Sequence, residues 1–253
     1  MFTLERQNAI MELIKTKKTV SVHELSGRFF TSEASIRRDL TSLEKQGLIK
    51  RTYGGAILLE GSNVEIPVNV REQEQMDTKT QIAKIAATLI QNQDTIFLDS
   101  STTTGQLTRF LQDKDNLTVV TNGIRAVIGL AELPNVSIYS IGGKLRNHSL
   151  SVVGGQAESF SENFWATKLF FSCTGLLDTL GAMDYSSEEA EVRKKIMKNC
   201  QTKILLADHT KFGRPAFYKI CGFDMIDILI TDQKPADDWM EILKKHDIRL
   251  LYP

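Results

Sequence analysis

Cysteine is scarce in this chain of 253 residues, and the three present, Cys173, Cys200 and Cys221, are odd in number and far apart. They form neither a CxxC pair nor a Cys/His cluster, so neither a disulfide framework nor a zinc site is indicated. No metal and no cofactor is expected. Cys173 and Cys221 lie in apolar contexts and read as buried small hydrophobes. The N-terminus has no apolar h-region, and no unbroken apolar run reaches membrane-spanning length. The expected setting is soluble, reducing and cytoplasmic, without membrane contact. A GxxxxGK run followed by Ser or Thr is missing, which argues against nucleotide hydrolysis. GxGxxG after a strand is missing too, which weakens a dinucleotide reading. Net charge is also lacking: 31 Lys and Arg face 31 Asp and Glu, which excludes a generally polybasic protein.

The charge is unevenly spread. Residues 1–58 hold ten Lys and Arg against six Asp and Glu, leaving +4, and the rest of the chain carries −4. A modestly basic head on a slightly acidic body suits a protein whose head alone meets a phosphate backbone. The length allows one large domain or two, with a core that needs no staples.

The organising stretch is SEASIRRDLTSLEKQGLIKRTYGGA, from Ser32 to Ala56. Ile36, Leu40 and Leu43 fall at i, i+4 and i+7 and stripe one face of a helix. Ser32 is placed to cap its start and Gly47 to close its end. Two short apolar-basic runs around Gly54-Gly55 then predict a hairpin. Upstream, Ser21-Val22-His23-Glu24 fits a capping box for a short helix, and Leu4–Lys17 places Ile10, Leu13 and Ile14 on one face of another. Three helices and a basic hairpin make a winged helix-turn-helix, in which the last helix enters the major groove and the wing lies along the backbone. An isolated Arg-Arg pair is more often a solvated surface feature. The surrounding pattern favours binding of double-stranded DNA.

Residues 60–76 are polar, with a lone Pro67, and read as a linker between a domain at 1–59 and another at 77–253. The second domain alternates. Strands are expected at Thr95–Leu98, Leu117–Val120, Val136–Ile141, Leu169–Cys173, Ile204–Ala207 and Ile226–Ile230. Helices are expected at Asp77–Ile90, Thr104–Leu111, Arg125–Leu133, Glu188–Cys200 and Asp237–His246. This alternation predicts an α/β domain with a largely parallel sheet, whose ligands sit at the carboxyl ends of the strands. The most informative strand end is Asp99 followed by Ser100, Ser101, Thr102, Thr103 and Thr104. Capping needs one such hydroxyl; a run of five favours a bound phosphate at a helix start. Thr121-Asn122-Gly123, Gly142-Gly143 with Arg146, Thr174-Gly175 and Asp208-His209-Thr210-Lys211 follow other strands. Arg146 and Lys211 can neutralise a phosphate or equally be solvated. His148 and His209 have no partner at metal spacing and are given no ligand role.

Together these motifs resemble the DeoR family of bacterial transcription regulators. SEASIRRDLTSLEKQG with RTYGGA is similar to that family's recognition helix and wing. FLDSSTTT, VVTNG, IGGKLR, FFSCTG and LLADHTKFG resemble, in order, the strand ends of its sugar-phosphate-sensing domain. The resemblance implies a body similar to ribose-5-phosphate isomerase. It further implies that Ser32, Ser35, Arg37 and Arg38 meet DNA, with Lys50, Arg51 and Tyr53 in the wing. Asp99 and Ser100, Ser101, Thr102 and Thr103 are implied to hold the effector's phosphate end. Asn122, Gly143, Arg146, Gly175, Asp208 and Lys211 line the rest of that site, and Glu188 and Lys194 match further positions, where the register can slip among Glu188, Glu189, Glu191 and the Lys194-Lys195 pair. There are two departures. Isomerases of this fold carry a paired-aspartate loop, whereas Ser172-Cys173-Thr174-Gly175 has no carboxylate, and Asp178 would need a loop rearrangement to reach a substrate. No catalytic residue is assigned. Ser101 also stands where many relatives have Gly.

The expected function is a repressor of a carbohydrate-utilisation operon, released or modulated by a phosphorylated sugar and acting as a homo-oligomer that reads a repeated operator. One rival is a sugar-phosphate isomerase-like enzyme carrying a DNA-binding head. The other is an architectural DNA-binding protein whose body only oligomerises.

Overall fold

A computed structural model describes residues 2–45, 48–58 and 68–253. The chain divides into two compact units, Met1–Val70 and Arg71–Pro253.

The first unit starts with α1 (Thr3–Lys17), β1 (Thr19–Ser21), α2 (Val22–Arg28) and α3 (Glu33–Lys45), followed by β2 (Ile49–Thr52) and β3 (Gly55–Leu58). Ser21 caps α2 as its sequence predicts: its hydroxyl accepts the Glu24 N–H at 3.0 Å. Ile36, Leu40 and Leu43 of α3 are buried against Ile10, Met11 and Ile14 of α1, as their 3.6-residue spacing requires. Each such side chain contributes roughly 1.5–3 kcal/mol on burial. The hairpin β2–β3 is antiparallel, and β1 adds a third strand in the order β1-β3-β2. That third strand was not expected; three residues are too few to show a period. Gly55 permits it, since a Cβ there would lie 1.9 Å from the Val20 carbonyl oxygen. The expected left-handed turn at Gly47 lies outside the described residues.

In chain order the second unit holds α4 (Val68–Gln73, which begins in the first unit), α5 (Met76–Ala87), β4 (Thr95–Leu98), α6 (Thr102–Gly105), β5 (Leu117–Thr121), α7 (Ile124–Leu130) and β6 (Val136–Ser140). Next come β7 (Lys144–Arg146), β8 (Ser151–Val153), α8 (Gly155–Ser161), β9 (Ala166–Ser172), β10 (Gly175–Leu177), β11 (Gly181–Asp184) and α9 (Ser187–Lys198). The chain closes with β12 (Cys200–Leu206), β13 (Tyr218–Cys221), β14 (Ile228–Ile230), α10 (Asp237–Lys245) and β15 (Arg249–Leu251). A seven-stranded sheet in the order β15-β14-β12-β9-β4-β5-β6 is the frame, and every pairing in it is parallel.

Its strands are apolar on both faces, as a sheet covered on both sides demands. Phe97, Val120, Phe171 and Leu205 point to one face, under α8, α9 and α10. Ile96, Leu98, Val119, Phe170, Ile204 and Leu206 point to the other, under α5 and α7. The period of two sends neighbours on one strand into opposite cores.

Three expectations needed correction. The helix expected at Thr104–Leu111 is a one-turn α6 continued by a 3-10 turn at Gln106–Phe110. Residues 68–73, expected as linker, form α4, anchored by buried Val68; residues 60–67 of that expected linker lie outside the described residues. Two small antiparallel sheets, β7–β8 and β10-β11-β13, fill stretches that the alternation left as loops.

Candidate functional site

The head presents a cationic surface on α3 and the hairpin. Ser32 caps α3, accepting the Ser35 N–H at 3.3 Å, and the two hydroxyls lie 3.0 Å apart. Arg37 is exposed and pairs with Glu33 one turn back at 3.2 Å, a surface pairing worth only about 0–1 kcal/mol and easily exchanged for another anion. Arg38 is exposed and bonds the Ala34 carbonyl at 3.4 Å. Lys50 is exposed, and Tyr53 stands fully in solvent at the hairpin tip. Arg51 differs: it donates to the Thr41 hydroxyl at 2.7 Å, and its N–H donates to Glu44 at 2.9 Å, so it ties the wing to α3. Asp39, unnoticed in the sequence, is buried and accepts from Arg6 at 2.6 Å and Gln7 at 3.3 Å. That contact fixes α3 on α1 and so aims its neighbour Arg38 outward. A stripe-based reading passes over such a residue because it looks like one more surface charge.

The second unit gathers its polar residues at the carboxyl ends of β4, β5, β9 and β12. Asp99 is buried, and its carboxylate is fully engaged. One oxygen accepts the Ser101 N–H at 3.0 Å and the Thr104 hydroxyl at 2.6 Å; the other accepts the Ser172 N–H at 3.1 Å and Arg193 Nε at 2.7 Å. Asp99 therefore shapes the loop and offers no oxygen outward. Ser101 caps α6 through the Thr104 N–H at 3.2 Å. The hydroxyls of Ser100, Thr102 and Thr103 make no hydrogen bond to any described residue. The loop after β5 presses on this one, for a Cβ on Gly123 would lie 2.9 Å from Ser100 Cα. Asn122 is buried; its amide donates to the Val152 carbonyl at 3.1 Å, while Oδ1 has no partner.

Beneath the rim lies a buried ionic cluster that the sequence did not disclose. Arg193 donates to Asp99, to Asp184 and, at 3.5 Å, to Glu189. Burial works against the arginine's charge, but the three carboxylates outweigh it and hold its pKa above the ordinary value. Burial raises the Asp184 carboxyl above its usual range, with Arg193 opposing. Burial also pushes Glu189 up, but Arg193 and the Ser149 and Ser151 hydroxyls prevail and hold it low. Glu189 accepts from Ser151 at 2.7 Å and from Arg146 at 3.3 Å. Asp184 also accepts the Thr174 hydroxyl at 3.0 Å and the Tyr185 N–H at 2.7 Å, so it is clamped and poorly placed to act as a base.

Several expected residues sit differently. On α9 the inward face carries Glu189 and Arg193, one turn apart, rather than Glu188 and Lys194. Glu188 is half-buried, 3.0 Å from Lys144 and 3.9 Å from Arg146. Lys194 pairs with Glu191 at 2.8 Å and lies 4.5 Å from the Tyr218 ring centre, on another face. A motif match cannot choose between neighbours in SSEEAEVRKK; helical phase relative to the buried Ala190 and Ile196 can. Gly143 and Gly175 answer to packing: a Cβ would lie 3.0 Å from the Val153 carbonyl oxygen in the first and 2.0 Å from that of Arg214 in the second. Asp178 is exposed and accepts the Thr179 N–H at 2.7 Å. His209 pairs with Asp232 at 2.6 Å.

Asp208 and Lys211 meet at the end of β12. Asp208 accepts the Thr210 N–H at 3.0 Å and the Thr210 hydroxyl through Oδ1. Its buried Oδ2 has no hydrogen bond, with Lys211 Nζ 3.5 Å away. Burial would raise the Asp208 carboxyl, but Lys211 and Thr210 hold it below its usual value. Lys79 of α5 is within electrostatic reach of both residues and donates to the Arg71 carbonyl; desolvation, then Lys211, lowers its pKa to about 8. Among the described residues no group of three or more His, Cys, Asp or Glu could hold a metal ion, and no helix is long and apolar enough to cross a membrane. The arrangement offers cations, free hydroxyls and two unfilled acceptors, Asn122 Oδ1 and Asp208 Oδ2.

Residues 6–61 match the DeoR-like helix-turn-helix domain, and residues 74–233 match the DeoR C terminal sensor domain. The chain is 36% identical over 234 residues to the HTH-type transcriptional regulator GolR of Listeria innocua, covering 92% of each chain. It is 33% identical over 249 residues to the glycerol-3-phosphate regulon repressor of Escherichia coli, covering 97% of each. Among solved structures, ribose 5-phosphate isomerase A of Methanocaldococcus jannaschii superposes on 56% of each chain at a TM-score of 0.41 and 13% identity.

Proposed function

The chain belongs to the DeoR family of DNA-binding transcriptional regulators, and from that premise we propose that it represses a carbohydrate-utilisation operon and is released from its operator by a phosphorylated sugar. Its relatives are named as regulators or repressors, and the clamped Asp184 accords with a regulator rather than an isomerase. Arg37 and Arg38 supply base-edge and phosphate contacts in the major groove, while Lys50 and Tyr53 lie along the backbone and Arg51 holds the wing in place.

The observation that carries the effector reading is the pair of buried acceptors without donors, Asn122 Oδ1 and Asp208 Oδ2, on a rim that also holds Lys211 and the hydroxyls of Ser100, Thr102 and Thr103. A buried polar atom left unpaired costs about 1–3 kcal/mol. A ligand with several hydroxyls fills both acceptors, and a phosphate fills the donors, so a sugar phosphate matches the set where a neutral sugar or inorganic phosphate matches half of it.

A single +4 head makes few phosphate contacts and binds weakly alone. Two or more heads joined through their bodies gain from effective concentration, so the working form is a homo-oligomer on a repeated operator. The sugar phosphate must favour the arrangement that does not fit the operator, or it shifts nothing. The test is a melting screen against fructose, tagatose, galactosamine, rhamnulose and deoxyribose phosphates and their parent sugars. A ligand of the native state raises Tm by mass action. A phosphorylated member alone should do so; stabilisation by none of them, or equally by the parent sugar, would remove the effector reading.

A further inference from the structure

The cationic pair at the end of β12 reaches beyond the rim. Lys79 lies in the first turn of α5 and is 5% exposed. Its ammonium makes one hydrogen bond among the described residues, to the backbone carbonyl of Arg71. Arg71 belongs to α4, the helix within which the division between the two units falls, at residues 70 and 71. The charges of Lys211 and Asp208, and of Glu74 and Arg71, act on the same ammonium. Three cations thus gather around two carboxylates, and one of those carboxylates keeps a buried oxygen without a donor. An ammonium has three N–H groups. Two of Lys79's are unspent in a place almost closed to water, next to like charge. The two carboxylates only partly offset burial and the neighbouring cations, so a further anion would complete the site. A plain helix-capping role would need only the Arg71 contact, and an exposed lysine could supply it.

We propose that Lys79 is a ligand of the effector's phosphoryl group, sharing it with Lys211, and that binding draws the Lys79 ammonium away from the Arg71 carbonyl, so that α4 loses a tie when the rim is occupied. This rests on the sugar-phosphate reading above and adds to it a ligand and a route. The phosphoryl oxygens accept from Lys79 and Lys211, and a sugar hydroxyl donates to Asp208 Oδ2. The Arg71 carbonyl, near the end of a six-residue helix, loses the Lys79 ammonium. A helix that short has little stability of its own, so losing one tie matters. Glu72 of the same helix keeps its ion pair with Arg125 of α7, so α4 loosens at Arg71 and does not detach.

The test uses the full chain. The sugar phosphate that most raises the Tm of the unaltered protein in the panel is titrated calorimetrically into that protein and into Lys79→Met and Lys79→Arg. Deuterium exchange of residues 68–75 is followed in the unaltered protein with and without it. Affinity should fall about tenfold or more in Lys79→Met, the scale of a lost charge-assisted hydrogen bond, and recover in Lys79→Arg. Exchange at 68–75 should quicken on binding. Undiminished affinity in Lys79→Met, or exchange at 68–75 that is unchanged or slower, overturns the proposal while leaving the sugar-phosphate reading intact. If Lys79→Met does not fold, the exchange measurement decides by itself. If no panel member stabilises the unaltered protein, the effector reading falls first and this proposal with it.

Discussion

Replacing Arg193 by Met puts the buried ionic cluster to the test. The arginine side chain is 3% exposed and contacts three carboxylates: Asp99 at 2.7 Å, Asp184, and Glu189 at 3.5 Å. Methionine keeps much of the volume and removes the charge, so the loss is electrostatic rather than a cavity. Removing one partner of a buried ion pair typically costs about 3–5 kcal/mol, because the other charge is left uncompensated. Here three charges are left, which places the expected loss near the top of that range at neutral pH. Against a total stability of about 5–15 kcal/mol for a typical domain, this is a large share.

The pH dependence has a definite sign. Without Arg193, burial is left to raise the folded pKa values of Asp184 and Glu189 above their unfolded ones. The folded variant then binds more protons than the unfolded chain between those values, so its stability rises as pH falls. The deficit relative to the unaltered protein is therefore greatest near pH 8 and shrinks toward pH 5. Both tryptophans, Trp165 and Trp239, lie in the second unit, so urea unfolding followed by intrinsic fluorescence reports the right part. A deficit below about 1 kcal/mol at pH 7.5, or one that does not change with pH, would refute the electrostatic role of Arg193.

Other substitutions probe other links. Arg37→Ala should weaken operator binding by about 1–3 kcal/mol, the value of a good base contact, and leave effector-induced stabilisation intact in a melting assay; loss of the effector response would contradict the division into a reader and a sensor. Phe30 has φ 48° and is 96% exposed. Phe30→Gly removes left-handed strain of about 1–2 kcal/mol against a smaller entropic cost, so urea melting of the head should shift up, and a downward shift would show that the ring is held by a contact. Gly55→Ala drives a Cβ to 1.9 Å from the Val20 carbonyl oxygen and should cost the head about 1–3 kcal/mol by overpacking, visible as a lower urea midpoint.

Long-period features were legible in the sequence. The stripe Ile36, Leu40 and Leu43 needs only the helical repeat, and six of the seven strands of the main sheet announce themselves as apolar runs. The seventh, β15, has three residues, Arg249–Leu251, and is partly exposed, so nothing marks it out. The polar rim was legible as a set of strand ends, since parallel strands bring their carboxyl ends to one side. What escaped is what depends on side-chain direction. Asp99 looked like a ligand because it begins the hydroxyl loop, yet its oxygens turn inward to Arg193 and the backbone. Glu189 and Arg193 were hidden beside Glu188 and Lys194 because one residue changes a helix face by about 100°. Arg71 stands in a polar stretch where composition alone reads as linker, and Lys79 stands in the expected helix Asp77–Ile90 off its apolar stripe, so only packing shows that this lysine is buried.

The most direct measurement is operator binding by the full chain, followed by fluorescence anisotropy on DNA carrying the protein's own upstream region while a sugar phosphate is titrated in. The phosphorylated sugar that stabilises the protein should release the DNA over the same concentration range, and its unphosphorylated parent should not. Stabilisation without any change in DNA affinity would mean that the anion-holding strand ends and the cationic reader are not coupled.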